Sequence, residues 1–329
     1  MAIASRDGLV RSEILENLTQ DVQVSNLIGE KLFPVIGANG RKVTIPTFLK
    51  GADRRSVIDS RYEAGTYPKV ITWDRDKEDY SIERRMLDGA VDEEEIKHAQ
   101  FGMDPYARVA RNLTIAMATY REAQYAALVQ NATPDATYPA ANVLALTTSG
   151  QRWNHADSNG NMDQDVLAQI LPKSDAIALA LGVRPNVGVC SEKTMRLLRR
   201  NTTLRSAAGI IFSGAAIGPQ LEDAQVARLM GLDVIEIGDA AAFPSGATSP
   251  VNLWSDNVFA AFYRSRTPSI DDISFGYTLY DKTFGKSRIS TYLDVPRGNT
   301  NFVRREETYD PIIITGQAGF VITGLLSGS

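Results

Sequence analysis

The segment VITWDRDKEDYSIERRM, Val70 to Met86, sets nine charged residues among seventeen, and its other members include the strand formers Val70, Ile71, Trp73, Tyr80 and Ile82. Ile71 and Trp73 share one face of an extended chain, while Tyr80, Ile82, Arg84 and Met86 follow the opposite parity. The alternation therefore changes phase between Trp73 and Tyr80, where a bulge, turn or bend is expected. A strand covered on both faces by its own domain reads as a continuous apolar run. This one reads as a ribbon exposed on at least one side, or covered by another chain.

The signs are interleaved: Asp74, Arg75, Asp76, Lys77, Glu78 and Asp79, then Glu83, Arg84 and Arg85. With Trp73, the residues Asp74, Arg75, Asp76, Lys77, Glu78, Glu83, Arg84 and Arg85 are the candidate contacts with a partner surface, where such patterning fixes register and orientation. The competing reading is an edge hairpin that uses charge to block unwanted pairing. Reversing Arg84 and Arg85 to Glu is expected to impair assembly more than folding, because exposed charges contribute little within one chain.

Upstream, KVTIPTF and the charged, Gly-containing stretch from Lys50 to Lys69 complete the outline of a long hairpin from Arg41 to Met86. Its arms read as too polar to bury much and too long to stand alone. Residues 1 to about 35 hold short amphipathic pieces, too thin for a core of their own. Both segments are expected to order only against other chains, since ordering costs roughly 1–2 kcal/mol per residue.

Downstream, GMDPYARVARNLTIAMATYREAQYAALVQNATP predicts a helix capped by Asp104, opened by Pro105 and stopped at Asn131 and Pro134. Val109, Leu113, Ala116, Met117, Tyr120 and Leu128 form the expected core-facing stripe. From about Asp163 helices and strands alternate. DQDVLAQIL is a helix stopped or kinked by Pro172 and continued to Gly182, NVGVC is a strand, SEKTMRLLRR is a helix capped by Ser191, and VARLMG leads into the strand LDVIEI. After residue 270 the pattern is mainly β, in ISTYLDVP, TNFVRREETYD, PIIITG and GFVITGLL.

The search for chemistry returns little. His98 and His155 are the only histidines, Cys190 is the only cysteine, and no metal, nucleophile-elbow or nucleotide-loop motif is present. Cys190 sits in an apolar string and reads as a buried structural thiol. Gly214 to Gly218 reads as a surface loop, and Asp92 to Glu95 as the acidic first turn of a helix rather than a cation site shared with Asp88. Arg196, Arg199, Arg200 and Arg205 read as one solvated helix face. A net charge of -4 gives no basic footprint for nucleic acid, and no run approaches the ~18 apolar residues of a membrane span. No cofactor and no catalysis are expected.

The order of parts resembles the major capsid proteins of tailed double-stranded DNA bacteriophages, the Hong Kong 97 type of fold. The resemblance is carried by AGTYPKVITW, by ERRMLDGAVDEEE leading into the helix that ends YREAQYAALVQN, by the helix-strand-helix from Asp163 to Arg200, by GLDVIEI and by ETYDPIIITGQAGFVI. It implies an α+β fold: an N-terminal arm at 1–35, an extended hairpin loop at 36–82, and a peripheral domain at 83–160 with a spine helix near 104–130. An α/β axial domain at 161–269 and return strands of the peripheral domain at 270–329 complete it.

The implied function is structural. Pentamers and hexamers of one chain build an icosahedral shell around the phage DNA, assembled in the host bacterial cytoplasm and found in the virion. The hairpin then lies across a neighbouring subunit. Implied partners are copies of itself, a portal, scaffold or decoration proteins and, loosely, packaged DNA, with no membrane. The alternatives are the shell of an encapsulin-like nanocompartment and an α/β enzyme.

Overall fold

An unbroken helix of 25 residues, Pro105–Val129, is the longest rigid element described. At about 1.5 Å per residue it is a rod of about 37 Å, and its alanines favour the helix intrinsically. The computed structural model describes residues 27–47, 76–91, 105–156, 162–211, 220–243, 249–269, 272–294 and 300–326. The expected cap Asp104, the run from Asp92 to Glu95, His98 and the loop from Gly214 to Gly218 lie outside them.

In chain order the described helices are α1 (Gly29–Leu32), α2 (Pro105–Val129), α3 (Val166–Leu181), α4 (Glu192–Arg200), α5 (Thr202–Ile211) and α6 (Asp223–Leu229). The strands are β1 (Val35–Ala38), β2 (Lys42–Thr47), β3 (Asp76–Ser81), β4 (Arg84–Val91), β5 (Val143–Ala145), β6 (Val187–Ser191), β7 (Val234–Gly238) and β8 (Ala241–Ala242). They continue with β9 (Val251–Asn252), β10 (Val258–Phe262), β11 (Gly276–Asp281), β12 (Ser287–Asp294), β13 (Thr300–Thr308), β14 (Asp310–Ile313) and β15 (Gly319–Thr323).

The spine helix α2 buries a different stripe from the expected one. Tyr106, Ala110, Thr114, Met117, Ala118, Glu122, Tyr125 and Val129 face inward, and of the predicted set only Met117 is fully buried. Val109, Leu113 and Leu128 are partly buried, whereas Ala116 and Tyr120 are exposed. The physical reason is that two polar residues on the true face are satisfied there. The Thr114 hydroxyl donates to Ala110 O at 2.8 Å and accepts from Arg305 Nη1 at 2.9 Å. Glu122 accepts from Ile28 N at 3.0 Å, Gly29 N at 2.7 Å and Trp254 Nε1 at 2.7 Å. A stripe restricted to apolar residues is rotated away from these positions.

The α/β module forms as its pattern predicts. Asp165 accepts from Ala168 N to open α3, Gly182 closes it at φ 79°, and Ser191 accepts from Thr194 N to open α4. Pro172 neither stops nor splits α3, which runs through it as one helix with Val166, Ile170, Ser174, Ile177 and Leu181 buried. Loss of one hydrogen bond at the proline is offset by that packed face. β6 is buried along its whole length, as a central strand requires.

The sheet built around β6 has the order β5-β15-β10-β6-β7. Val321 to Thr323 of β15 run parallel to Val143 to Ala145 of β5, and β15 is antiparallel to β10. Strands from residues 83–160 and 270–329 thus share one sheet with strands from 161–269. β15 is buried at four of its five positions and therefore seats in the middle of a sheet rather than among the return strands. The strands that do return are β12 and β13, in a sheet of order β12-β13-β4 laid against α2, with Val91, Tyr106, Ala110, Ile289 and Val303 as its core.

Two further expectations are corrected. The C-terminal part of the arm orders within its own chain: Leu32 and Phe33 are fully buried, and the Phe33 ring meets Tyr125 at 5.4 Å and Phe262 at 5.9 Å. Each such side chain contributes about 1.5–3 kcal/mol by burial. The base of the hairpin also buries itself, with Ile45 and Ile82 in a small core with Ala38, Leu279 and Ile312.

Glu122 joins three parts of the chain, so its removal tests the joint. Glu122→Ala leaves three buried donors without an acceptor and is expected to cost about 3 kcal/mol or more, read as a lower urea midpoint of the unassembled chain. Glu122→Gln keeps one acceptor oxygen and is expected to fall between the two.

Candidate assembly interface

The hairpin base places β2 and β3 antiparallel, from Lys42 opposite Ser81 to Thr47 opposite Asp76. Trp73, Asp74 and Arg75 lie outside the described residues. The backbones of Asp76 and Lys77 pair with those of Thr47 and Pro46. Glu78 is exposed and accepts from the Tyr80 hydroxyl at 2.6 Å, while Asp79 accepts from Thr44 Oγ1 at 2.6 Å across the pair. Burial, helped by the hydrogen bond to Glu78 and by its charge, pushes the Tyr80 phenol up.

Tyr80, Ile82, Arg84 and Met86 do not continue on one strand, as the parity reading took them. β3 ends at Ser81, Ile82 N donates to Arg41 O at 2.7 Å, and the chain re-enters as β4 in a different sheet, beside β13. Ile82 is the buried pivot of this change of sheet. Residues 76–81 are continuous strand, so the bend among the described residues falls at Ile82 and Glu83.

The arginines that follow are engaged within the chain. Arg84 reaches Glu306 at 2.6 Å and lies 4.4 Å from the Phe284 ring centre. Arg85 lies over the Tyr309 ring at 4.7 Å, donates to Tyr309 O, and sits 3.0 Å from Glu83 and 3.8 Å from Asp310. The register explains these pairs, because β4 lies beside β13 with Arg84 opposite Thr308 and Arg85 opposite Glu307. Asp88 is gripped by Arg304 through two bonds of 2.7 and 2.8 Å and accepts from the Tyr292 hydroxyl at 2.8 Å. Partial burial raises the Asp310 carboxyl, against the lowering influence of Arg85.

Sequence reasoning missed Glu306, Tyr309 and Arg304 as the partners of this segment, and it missed β4 itself as an edge. Among the described residues β4 has β13 on one side only, and Met86 and Leu87 on it are exposed apolar side chains. The available signal was the pair Met86–Leu87, which places an apolar residue on each face of one strand.

Other chemistry is sparse. The Cys190 thiol is buried, and burial pushes it up, away from nucleophilic character. His155 lies 3.4 Å from Asp163. Arg196 is exposed and paired with Glu192 at 3.1 Å, but Arg199 is no part of a solvated face: it reaches Glu192 at 3.1 Å and grips Asp223 at 2.6 and 3.1 Å, tying α4 to α6. Among the described residues no cluster of His, Cys, Asp or Glu has the arrangement of a metal site.

No family model matches the chain. The major capsid protein of Pseudomonas phage JBD67 is 26% identical to it over 215 residues, and the match spans 64% of this chain and 64% of that relative. Among solved structures, a phage-related protein from Bordetella bronchiseptica RB50 superposes with a TM-score of 0.67 at 24% identity, covering 95% of this chain and 96% of that one. The capsid structure of the cyanophage P-SCSP1u superposes at 0.57 with 12% identity, over 90% and 88% of the two chains. A spine helix, a sheet laid along it and an α/β module thus define a viral capsid fold. The likeness is one of fold, and the expected Hong Kong 97 type of architecture is consistent with it.

The engagement of Arg84 and Arg85 within the chain adds a folding cost to their reversal. Arg85→Glu places a carboxylate beside Asp310 and Glu83, and is expected to destabilise the unassembled chain by about 2–4 kcal/mol in urea unfolding. Arg84→Glu, at a more exposed pair, is expected to cost about 1 kcal/mol.

Proposed function

We propose that this chain is a phage major capsid protein that self-assembles into the icosahedral shell enclosing the double-stranded DNA genome. The observation that carries the reading is the capsid fold matched along nine-tenths of the chain or more. The match to a phage major capsid protein over 215 residues supports it. In this reading the chain forms pentamers and hexamers, with the α/β module toward the centre of each capsomer and the α2 sheet at its periphery. The loop at 36–82 reaches across a neighbouring subunit, bringing Trp73, Asp74, Arg75, Asp76, Lys77 and Glu78 to that contact. The role is structural, without catalysis. Portal, scaffold or decoration proteins and loosely held DNA are the further partners, and assembly takes place in the host cytoplasm before the shell becomes part of the virion. No helix among the described residues is long and apolar enough to cross a membrane.

Exposed Met86 and Leu87 make β4 the described strand best suited to a neighbour, since apolar side chains on an unpaired edge invite pairing. The test is negative-stain electron microscopy with size-exclusion chromatography, on the chain alone and coexpressed with its neighbouring genes. Shells, sheets or rings of five and six are expected. The double substitution Met86→Asp with Leu87→Asp is expected to abolish them while shifting chain stability by only about 0.5 kcal/mol. Absence of any assembly in both expressions of the unaltered chain would sink the reading.

A further inference from the structure

Leu179, Ile210 and Phe243 are the most exposed large apolar side chains among the described residues, at 83%, 80% and 69%. Phe243 directly follows β8, and Val251, 54% exposed, opens β9, so the small hairpin formed by the two strands presents apolar groups to water. Its base is nevertheless held firmly. Leu253 N donates to Ala240 O at 2.8 Å. The Gln130 side chain at the end of α2 clamps the strand leaving the hairpin, with Nε2 donating to Leu253 O at 2.9 Å and Oε1 accepting from Ser255 N at 2.6 Å. Trp254 is fully buried, bonded to Glu122, and laid so closely over Gly238 that a Cβ there would fall 2.2 Å from the ring. A hairpin anchored this rigidly at its base yet bare at its apolar side chains is preorganised for a contact outside the chain.

The occupant is indicated by charge and by chemistry. In a chain whose residues are 22% charged, no charge occurs between Asp239 and Asp256, which bracket the hairpin. None occurs between Arg205 and Glu222 either, the span in which α5 ends with Ile210 and Ile211 exposed at 80% and 62%. Two uncharged apolar projections on one module, belonging to different elements, suit each other and no charged partner. We infer that the hairpin of one copy, led by Phe243 and Val251, seats on the Ile210–Ile211 end of α5 in a second copy of this chain. Two different surfaces meeting in this way make a head-to-tail contact, which gives rings where the rotation between copies closes and open filaments where it does not. The inference rests on the shell reading and supplies a contact for it.

Cysteine cross-linking tests the contact directly, because the native Cys190 is buried. The double variant Phe243→Cys with Ile210→Cys, assembled and then oxidised, is expected to give a ladder of covalent oligomers on a non-reducing gel. Mixing the two single variants is expected to stop at covalent dimers. Separately, Phe243→Asp is expected to reduce assembly at least tenfold with an unchanged thermal midpoint, as the side chain is exposed. Shells from the unaltered chain together with no cross-link, with only an intramolecular one, or with normal assembly of Phe243→Asp would overturn the contact alone. Absence of shells from the unaltered chain under coexpression would overturn the shell reading and this contact with it.

Discussion

Three N–H groups from different parts of the chain converge on one buried carboxylate, that of Glu122. Two belong to the start of α1, at Ile28 and Gly29, and the third is the Trp254 indole, while the carboxylate itself stands on the spine helix. A carboxylate taken out of water loses far more than one hydrogen bond returns, so the site is tolerable only with every donor in place. That requirement makes the joint all-or-none. Arm, spine and α/β module are thereby fixed at one point, and Tyr125, one turn along the same helix, continues the seam with its hydroxyl 2.6 Å from Thr278 Oγ1.

The same logic governs the base of the hairpin. Arg84, Arg85, Arg121 and Arg304 each lie over an aromatic ring: Phe284 for the first, Tyr309 for the next two and Tyr292 for the last. Each is also placed against a carboxylate of the chain. Charge that looks available for a partner in sequence is thus largely used to brace the change of sheet at Ile82. What β4 leaves for a neighbour is apolar.

Legibility followed the range of the interactions. The cap of α4 at Ser191, the end of α3 at Gly182 and the strand that holds Cys190 are decided within a few residues, and all three could be read directly. The inward face of α2 was misread because Thr114 and Glu122 are made acceptable by Arg305, Ile28, Gly29 and Trp254, which are distant in sequence. The place of β15 was hidden for a related reason: an apolar run of its length suits a buried strand in any sheet, and nothing local names its neighbours. At the candidate interface, the charge of the segment was legible but its direction was not, since Glu306 and Tyr309 meet it only through the register of β4 with β13.

The seat of β15 has a temporal consequence. It lies between β5 and β10, and until Gly319–Thr323 have left the ribosome those two strands have no bridge between them. A nascent chain that stops short of residue 323 therefore lacks the join between β5 and the β10-β6-β7 part of the sheet, however much of its spine and helices has formed. Pairings of such long sequence separation are slow to close. Translation itself then acts as a timer, and the chain acquires the finished geometry of this sheet only once residue 323 has been made.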